Sequence, residues 1–197
     1  MKLLFFDIET TGLNFWQHGI HQLAGCIEID GVVKAEFNYK IAPNPQAKIQ
    51  AEALAVGNIT LEQIQAYTPM EEVYKQFTTL LGTYVDKFDK KDKFYLIGFN
   101  NAAFDNPFLR AWFVQNGDQY FGSWFWSVPI DTFVLAGQHF LEKRPDMPDF
   151  KLQTVATSLG IVVDESMFHD ALYDITITKE IYYRLKKIKD KEGFYLK

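Results

Sequence analysis

The chain opens on an apolar run from Leu3 to Ile8, broken only by Asp7, and such a short run of β-branched, aromatic and aliphatic residues predicts a buried strand. Ile20 to Ile29 and Val32 to Ile41 are two further strands, and the Asp30-Gly31 pair between them predicts a tight hairpin. Pro43 to Gln50 carries two prolines and reads as a surface loop. Thr60 followed by Gln63 has the form of a capping box, which opens a short helix ending near Ala66. Pro69 suits a first helical turn, and Val73, Phe77, Leu80 and Leu81 continue at helical spacing. Beyond the charged link Lys87 to Lys93, Phe94 to Phe99 reads as a strand and Phe104 to Val114 as a helix. Val128 to Ile130 is a short strand before a helix from Asp131 to Phe140; Glu142 to Asp149 is a loop. Leu152 to Leu159 is a helix closed by Gly160, and a last helix runs from about Asp170 to Lys187. Antiparallel strands first, then alternating strands and helices, predict an α/β fold with a mixed sheet, in one domain over 1–197.

The first strand also carries chemistry. Side chains alternate between strand faces, so Asp7 and Glu9 point the same way, directly before the Thr10-Thr11-Gly12-Leu13 turn. Two anions held close are relieved by protonating one or by binding a cation, and a divalent ion with oxygen preference, Mg²⁺ or Mn²⁺, fits. A solvated strand end is the competing reading, and the triplet alone does not decide. Asp105, at a strand-to-helix junction, reads on its own as an acid favoured by the helix dipole; strand ends are also where α/β sheets bind ligands. His169 and Asp174 are five apart, so they converge only if His169 projects from the loop before the helix, with Asp170 as its N-cap.

Composition narrows the setting. The 197 residues are 48% hydrophobic and 23% charged, ordinary for a globular domain, and no apolar run approaches the roughly 18 residues of a membrane span. The N-terminus lacks a signal-peptide pattern, and Cys26 is the single cysteine; a cytoplasmic protein without a disulfide and without membrane association is expected. A net charge of −5 argues against broad non-specific attraction to nucleic acid, but not against an enzyme that grips only a strand end. The many aromatics, 18 Phe, 10 Tyr and 4 Trp, are expected mainly in the core. Phe15 and Trp16, just after the acidic motif, either cap that core or stack on unpaired bases.

Three ordered segments carry a family resemblance. Phe6-Asp7-Ile8-Glu9-Thr10-Thr11-Gly12-Leu13, Asn101-Ala102-Ala103-Phe104-Asp105 with Phe108-Leu109, and His169-Asp170-Ala171-Leu172-Tyr173-Asp174 resemble the three motifs of the DEDDh 3′→5′ exonuclease family. Ile130-Asp131-Thr132, Lys151-Leu152-Gln153-Thr154-Val155-Ala156 and Leu159-Gly160-Ile161 extend the likeness over most of the chain. The family includes the proofreading exonucleases of bacterial replicative polymerases. The resemblance implies a ribonuclease H-like fold, with a five-stranded mixed sheet flanked by helices. It further implies two divalent metal ions held by Asp7, Glu9, Asp105 and Asp174, and His169 as general base. The sister subclass has a tyrosine four residues before the last aspartate; Asp170 stands there, so the histidine subclass is implied.

By the same resemblance, Thr10, Thr11, Leu13, Glu52, Asn101 and Phe104 border the terminal nucleotide. For Phe104 an ordinary core role is an equal reading. Asn100 and Gly57 stand where relatives often have histidines; neither change removes a metal ligand. The expected substrate is the 3′ end of DNA, single-stranded, with release of 5′-mononucleotides. The competing readings are an RNA-trimming enzyme of the same superfamily and a non-catalytic, polymerase-associated binding module. A DNA polymerase or another replication or repair protein is the expected protein partner. The chain ends soon after the last motif, so a free-standing enzyme is as well supported as a proofreading subunit.

Overall fold

The computed structural model describes residues 1–168 and 170–191. His169 lies outside the described residues. Six strands form one mixed sheet: β1 (Lys2–Thr10), β2 (Ile20–Ile29), β3 (Val32–Ala42), β4 (Thr68–Pro69), β5 (Tyr95–Gly98) and β6 (Ile130–Asp131), in the spatial order β4-β3-β2-β1-β5-β6. β1 pairs antiparallel with β2 and parallel with β5, so the strand bearing Asp7 and Glu9 is interior. The sheet has one strand more than the five expected. The addition is β4, two residues that pair with Ile41 and Ala42 at the edge and lead straight into a helix; Pro69 lacks an N–H, which confines it to such an edge.

The helices are α1 (Ala51–Val56), α2 (Leu61–Gln65), α3 (Met70–Tyr84), α4 (Asp105–Gln115), α5 (Phe121–Trp124), α6 (Thr132–His139), α7 (Leu152–Ser158) and α8 (Ala171–Lys191). The hairpin turns at Asp30 and Gly31, both at positive φ, and Thr60 and Gln63 form the reciprocal capping box at α2. Gly160 ends α7 in the left-handed region at φ 73°. Two helices had not been expected. α1 has no side-chain cap and buries only Leu54, and α5 is a four-residue turn, so neither writes a helical period into the sequence. Pro69 and Phe104 stand just before α3 and α4 rather than inside them. The expected strand over Val128 to Ile130 forms instead at Ile130–Asp131.

β1 divides the core. Leu4, Phe6 and Ile8 face α3, α4 and α5, where Val73, Phe77, Phe108, Trp112 and Phe113 close over them. Leu3 and Phe5 face α8, against Ala171, Ile175 and Tyr182. The adjacent stripe of α8, Ile177, Ile181 and Leu185, packs on α6 and α7 with Ala136, Phe140 and Val155. Because α8 must satisfy both stripes, its rotation about its own axis is fixed.

A polar clamp fixes its position along the sheet as well. Glu28 on β2, almost wholly buried, accepts from Lys179 Nζ at 2.8 Å and from the Tyr183 hydroxyl. Removing one partner of such a pair strands the other charge. Glu28→Ala is expected to cost roughly 2–3 kcal/mol in urea unfolding, the low end for buried pairs because Lys179 is 26% exposed. A cost below about 1 kcal/mol would mean that apolar packing alone holds α8.

Candidate active site

The apolar stripe of β1 continues into the acids: Leu3, Phe5, Asp7 and Glu9 share one strand face. α8 lies on that face, and its first turn carries Asp174. Packing of the helix therefore delivers the third acid, and one carboxylate oxygen each from Asp7, Glu9 and Asp174 lies within 4.8 Å of the others. Asp170 caps α8, its Oδ1 accepting from the N–H groups of Leu172 at 3.0 Å and Tyr173 at 3.2 Å. The Tyr173 hydroxyl accepts from the Asp164 N–H at 2.6 Å, so it is committed to the loop before α8.

Asp105 stands outside that group of three acids and approaches it from the far layer, near enough to repel Asp7 and Glu9. β5 stops at Gly98 while β1 runs on, and the Ile8 N–H, beyond the parallel ladder, is taken by Asp105 Oδ1 at 3.2 Å. The intervening loop is tied down by Asp131, which accepts from the N–H groups of Asn100 at 2.9 Å, Ala102 at 3.1 Å and Phe133 at 3.0 Å. Asn100 is in the left-handed region at φ 61°, which asparagine tolerates better than most residues. Sequence reading had given Asp131 only a place at a helix start; nothing local signals that its carboxylate also organises a loop thirty residues earlier.

The remaining expected residues divide. Thr11 is fully buried and structural: its hydroxyl donates to Lys48 O at 2.7 Å and accepts from the Gly19 N–H at 2.9 Å, holding the turn to the following loop. The Thr10 hydroxyl donates to Gly12 O at 2.8 Å. Gly12 is obligatory for space, since a Cβ there would lie 2.3 Å from the His18 ring. Leu13, 80% exposed, projects from this turn. Asn101 is buried, and its Oδ1 has no hydrogen-bond partner among the described residues. Phe104 is half-buried and packs on Phe108 at 5.0 Å, and Glu52 is exposed in the first turn of α1.

The electrostatics are those of crowded, desolvated acids. Burial drives the Asp7 carboxyl well above its ordinary value, with Asp105, Glu9 and Asp174 adding repulsion. Burial, then Asp174 and Asp105, raise Glu9 to about 7 against the opposing pull of Lys40. Asp105 is also raised to about 7 by burial, despite the N–H groups that favour its charged form. Hard oxygen donors gathered at this spacing, and costly to ionise without compensation, suit a divalent cation.

Beside Glu9 opens a cleft of about 420 Å³, with His21, Gln22, Lys40, Asn58 and Asp170 among its walls. Sequence reading missed His21, Gln22, Lys40 and Asn58. Lys40 Nζ donates to Gln22 Oε1 at 2.6 Å, and Gln22 Nε2 to Asn38 Oδ1 at 2.9 Å. Burial, with Lys40 adding, lowers His21 to about 4 and keeps it neutral.

The model of the exonuclease family RNase_T matches residues 4–182. The chain belongs to that family. Among this exonuclease's relatives, a PolC-type DNA polymerase III of Mycoplasmopsis pulmonis is 25% identical over 96% of the chain, which spans only 12% of that polymerase. A DNA polymerase III subunit epsilon-like protein of Rhodobacter capsulatus is 29% identical over 93% of the chain and 24% of its own length. Exonuclease I of E. coli, solved with a dT13 oligonucleotide, superposes with a TM-score of 0.77 at 21% identity, over 98% of this chain and 43% of the other. The fold is accordingly ribonuclease H-like. No helix among the described residues is long and apolar enough to cross a membrane.

Carboxyl groups whose folded pKa lies above the unfolded value stabilise the fold below the unfolded pKa and lose that contribution as pH rises through the folded value. Metal-free protein is therefore expected to lose at least about 3 kcal/mol, some 6–12 °C in Tm, between about pH 4 and 7. Added Mg²⁺ or Mn²⁺ should restore it, increasingly so with pH, because binding requires deprotonated ligands. Thermal unfolding with chelator and with each ion checks this; a metal-induced shift that shrinks as pH rises would contradict it.

Proposed function

We propose that this exonuclease removes nucleotides one at a time from the 3′ end of DNA, single-stranded by preference, releasing 5′-mononucleotides. The convergence of Asp7, Glu9 and Asp174 on one point, within a family-wide match, is the observation that carries the reading. DNA is favoured because relatives are DNA polymerases and the structural neighbour was solved with a DNA oligonucleotide. The 1–197 chain acts on this reading as one exonuclease unit in the cytoplasm, and a DNA polymerase is the protein partner its relatives suggest.

In this reading Asp7, Glu9 and Asp174 would hold the ion on the nucleophile's side, and Asp7 with Asp105 would hold the second. Bound ions would supply the charge that makes a water nucleophilic at neutral pH and eases departure of an alkoxide. His169 takes the proton of the attacking water, its ordinary pKa of about 6.5 being suited to that task. The water oxygen bonds to phosphorus as the bond to the upstream 3′ oxygen breaks. Exposed Leu13 wedges against the terminal base, while Thr10 and Thr11 shape the turn beneath it. Asn101 offers its unpartnered oxygen to the terminal nucleotide, Glu52 meets the 3′-hydroxyl, and Phe104 forms the pocket wall.

The test uses 5′-labelled DNA and RNA strands of matched sequence, single and double, with Mg²⁺, Mn²⁺ or chelator. A ladder shortening from the 3′ end only with metal is expected, fastest on single-stranded DNA. Cleavage that survives chelation, or none on any strand, would overturn the reading; faster loss of RNA would reassign the substrate. Asp7→Asn should abolish turnover. His169→Ala should lower it by roughly 10²–10⁴ while metal still raises the Tm, and unchanged turnover would remove the histidine from the mechanism.

A further inference from the structure

A second groove, of about 370 Å³, runs alongside α4, with Phe15, Trp16, Asn106, Arg110, Val114 and Trp126 among its walls. Trp16 is 69% exposed, whereas Phe15 beside it is half-buried against Phe108 at 6.2 Å. The core takes one ring and leaves the other, 5.2 Å away from it, exposed to solvent. Among the described residues Arg110 is the one charged side chain lining the groove and no acid is in its walls, on a chain of net charge −5. Its guanidinium lies 4.4 Å from the Phe121 ring centroid, and Lys93 Nζ lies 5.5 Å from that of Trp126. Cations interleaved with aromatic faces are the elements that hold single-stranded nucleic acid without reading its sequence.

The groove also borders the start of α4, the helix that opens with Asp105. Asn106, in its wall, follows Asp105 directly in the chain and accepts from Asn101 Nδ2 at 3.4 Å. Phe15 and Trp16 follow directly on the turn that presents Leu13. A strand whose 3′ end sits at Asp7 has to leave across this surface or another, and this one offers stacking faces and a cation without repulsion.

Resting on the exonuclease reading above, we propose that this groove binds the unpaired strand upstream of the scissile bond, with Trp16 stacking on a base and Arg110 pairing with a phosphate. A protein partner would find little hydrogen-bonding specificity here, and the absence of acids favours a polyanion.

Binding can be separated from cleavage by measuring anisotropy of a labelled oligo-dT of about a dozen residues in chelator. Trp16→Ala is expected to raise Kd about tenfold, with Trp16→Phe restoring most of the loss. Arg110→Gln should flatten the salt dependence by about 0.7 in log–log slope, the value for one phosphate contact on a single strand. Phe88→Ala, an exposed aromatic outside the groove, should bind as the parent does. The Trp16→Ala penalty should vanish for a dinucleotide too short to reach the groove. Unchanged oligonucleotide binding by Trp16→Ala, while the parent digests 3′ ends, would refute the groove and leave the exonuclease reading intact. Binding that depends on Trp16 in a protein that digests nothing would uphold the groove as a strand-binding surface and remove the exonuclease reading. Loss of self-association in Trp16→Ala, with oligonucleotide affinity unaltered, would assign the groove to a second copy and overturn the proposal.

Discussion

The packing of α8 along a single face of β1 is what the rest of the molecule depends on. That face begins with Leu3 and Phe5 and ends with Asp7 and Glu9, so the contact that buries the apolar half also presses Asp174 against the acidic half. The helix cannot retreat to relieve the repulsion: its other stripe is engaged with α6 and α7, and Glu28 holds it through Lys179 and Tyr183. Stability is thus spent to keep like charges together. The fold compels a concentration of negative charge that only protons or a cation relieve, and proton uptake and metal binding compete for the same oxygens.

Asp105 approaches from the opposite layer, and here the constraint is strand length. β5 is shorter than β1, which leaves the Ile8 N–H free for a carboxylate from the helix that follows. The loop between must turn sharply, and Asn100 in the left-handed region with Asp131 collecting three N–H groups achieves this. Acids on two layers are therefore set by backbone hydrogen bonding rather than by loops free to drift. Such preorganisation is what ligand geometry for a small, demanding cation requires.

Much of this was legible in the sequence where a local rule decides. The Asp30-Gly31 hairpin, the Thr60 and Gln63 capping box and the end of α7 at Gly160 each rest on the chemistry of a few adjacent residues. Alternation alone put Asp7 and Glu9 on one face. The convergence of Asp174 with them was not derivable from spacing, since it depends on how α8 docks; the motif resemblance supplied it. α1, α5 and β4 escaped because each is too short to show a period.

The cleft residues escaped for a subtler reason. Glu9, Gln22 and Lys40 stand in one row across three strands, Glu9 opposite Gln22 and Gln22 opposite Lys40. Counting outward from the Asp30-Gly31 turn would set Gln22 opposite Tyr39 instead. A bulge between Ile27 and Glu28 shifts the register by one residue, and a one-residue shift turns every side chain beyond it to the other face. Without the bulge, Tyr39 rather than Lys40 would face the acids.

That shift also bears on charge balance. Lys40 is the cation named against Glu9, yet its Nζ is held by Gln22, which is in turn held by Asn38. An ammonium paired directly with Glu9 would compete with a metal for the carboxylate; one restrained a residue away lowers the cost of ionising Glu9 while leaving its oxygens available. His21, kept neutral by burial and by Lys40, adds no second positive charge to the cleft. On the proposed function, positive charge near the site would come from separate places: ions held by the acids, Lys40 on one flank, and Arg110 in the groove along α4. On that function, neutralising the acids would strengthen the hold on the 3′ end itself while the groove along α4 acts without it, so binding of that end and readiness for hydrolysis would be coupled through the same carboxylates.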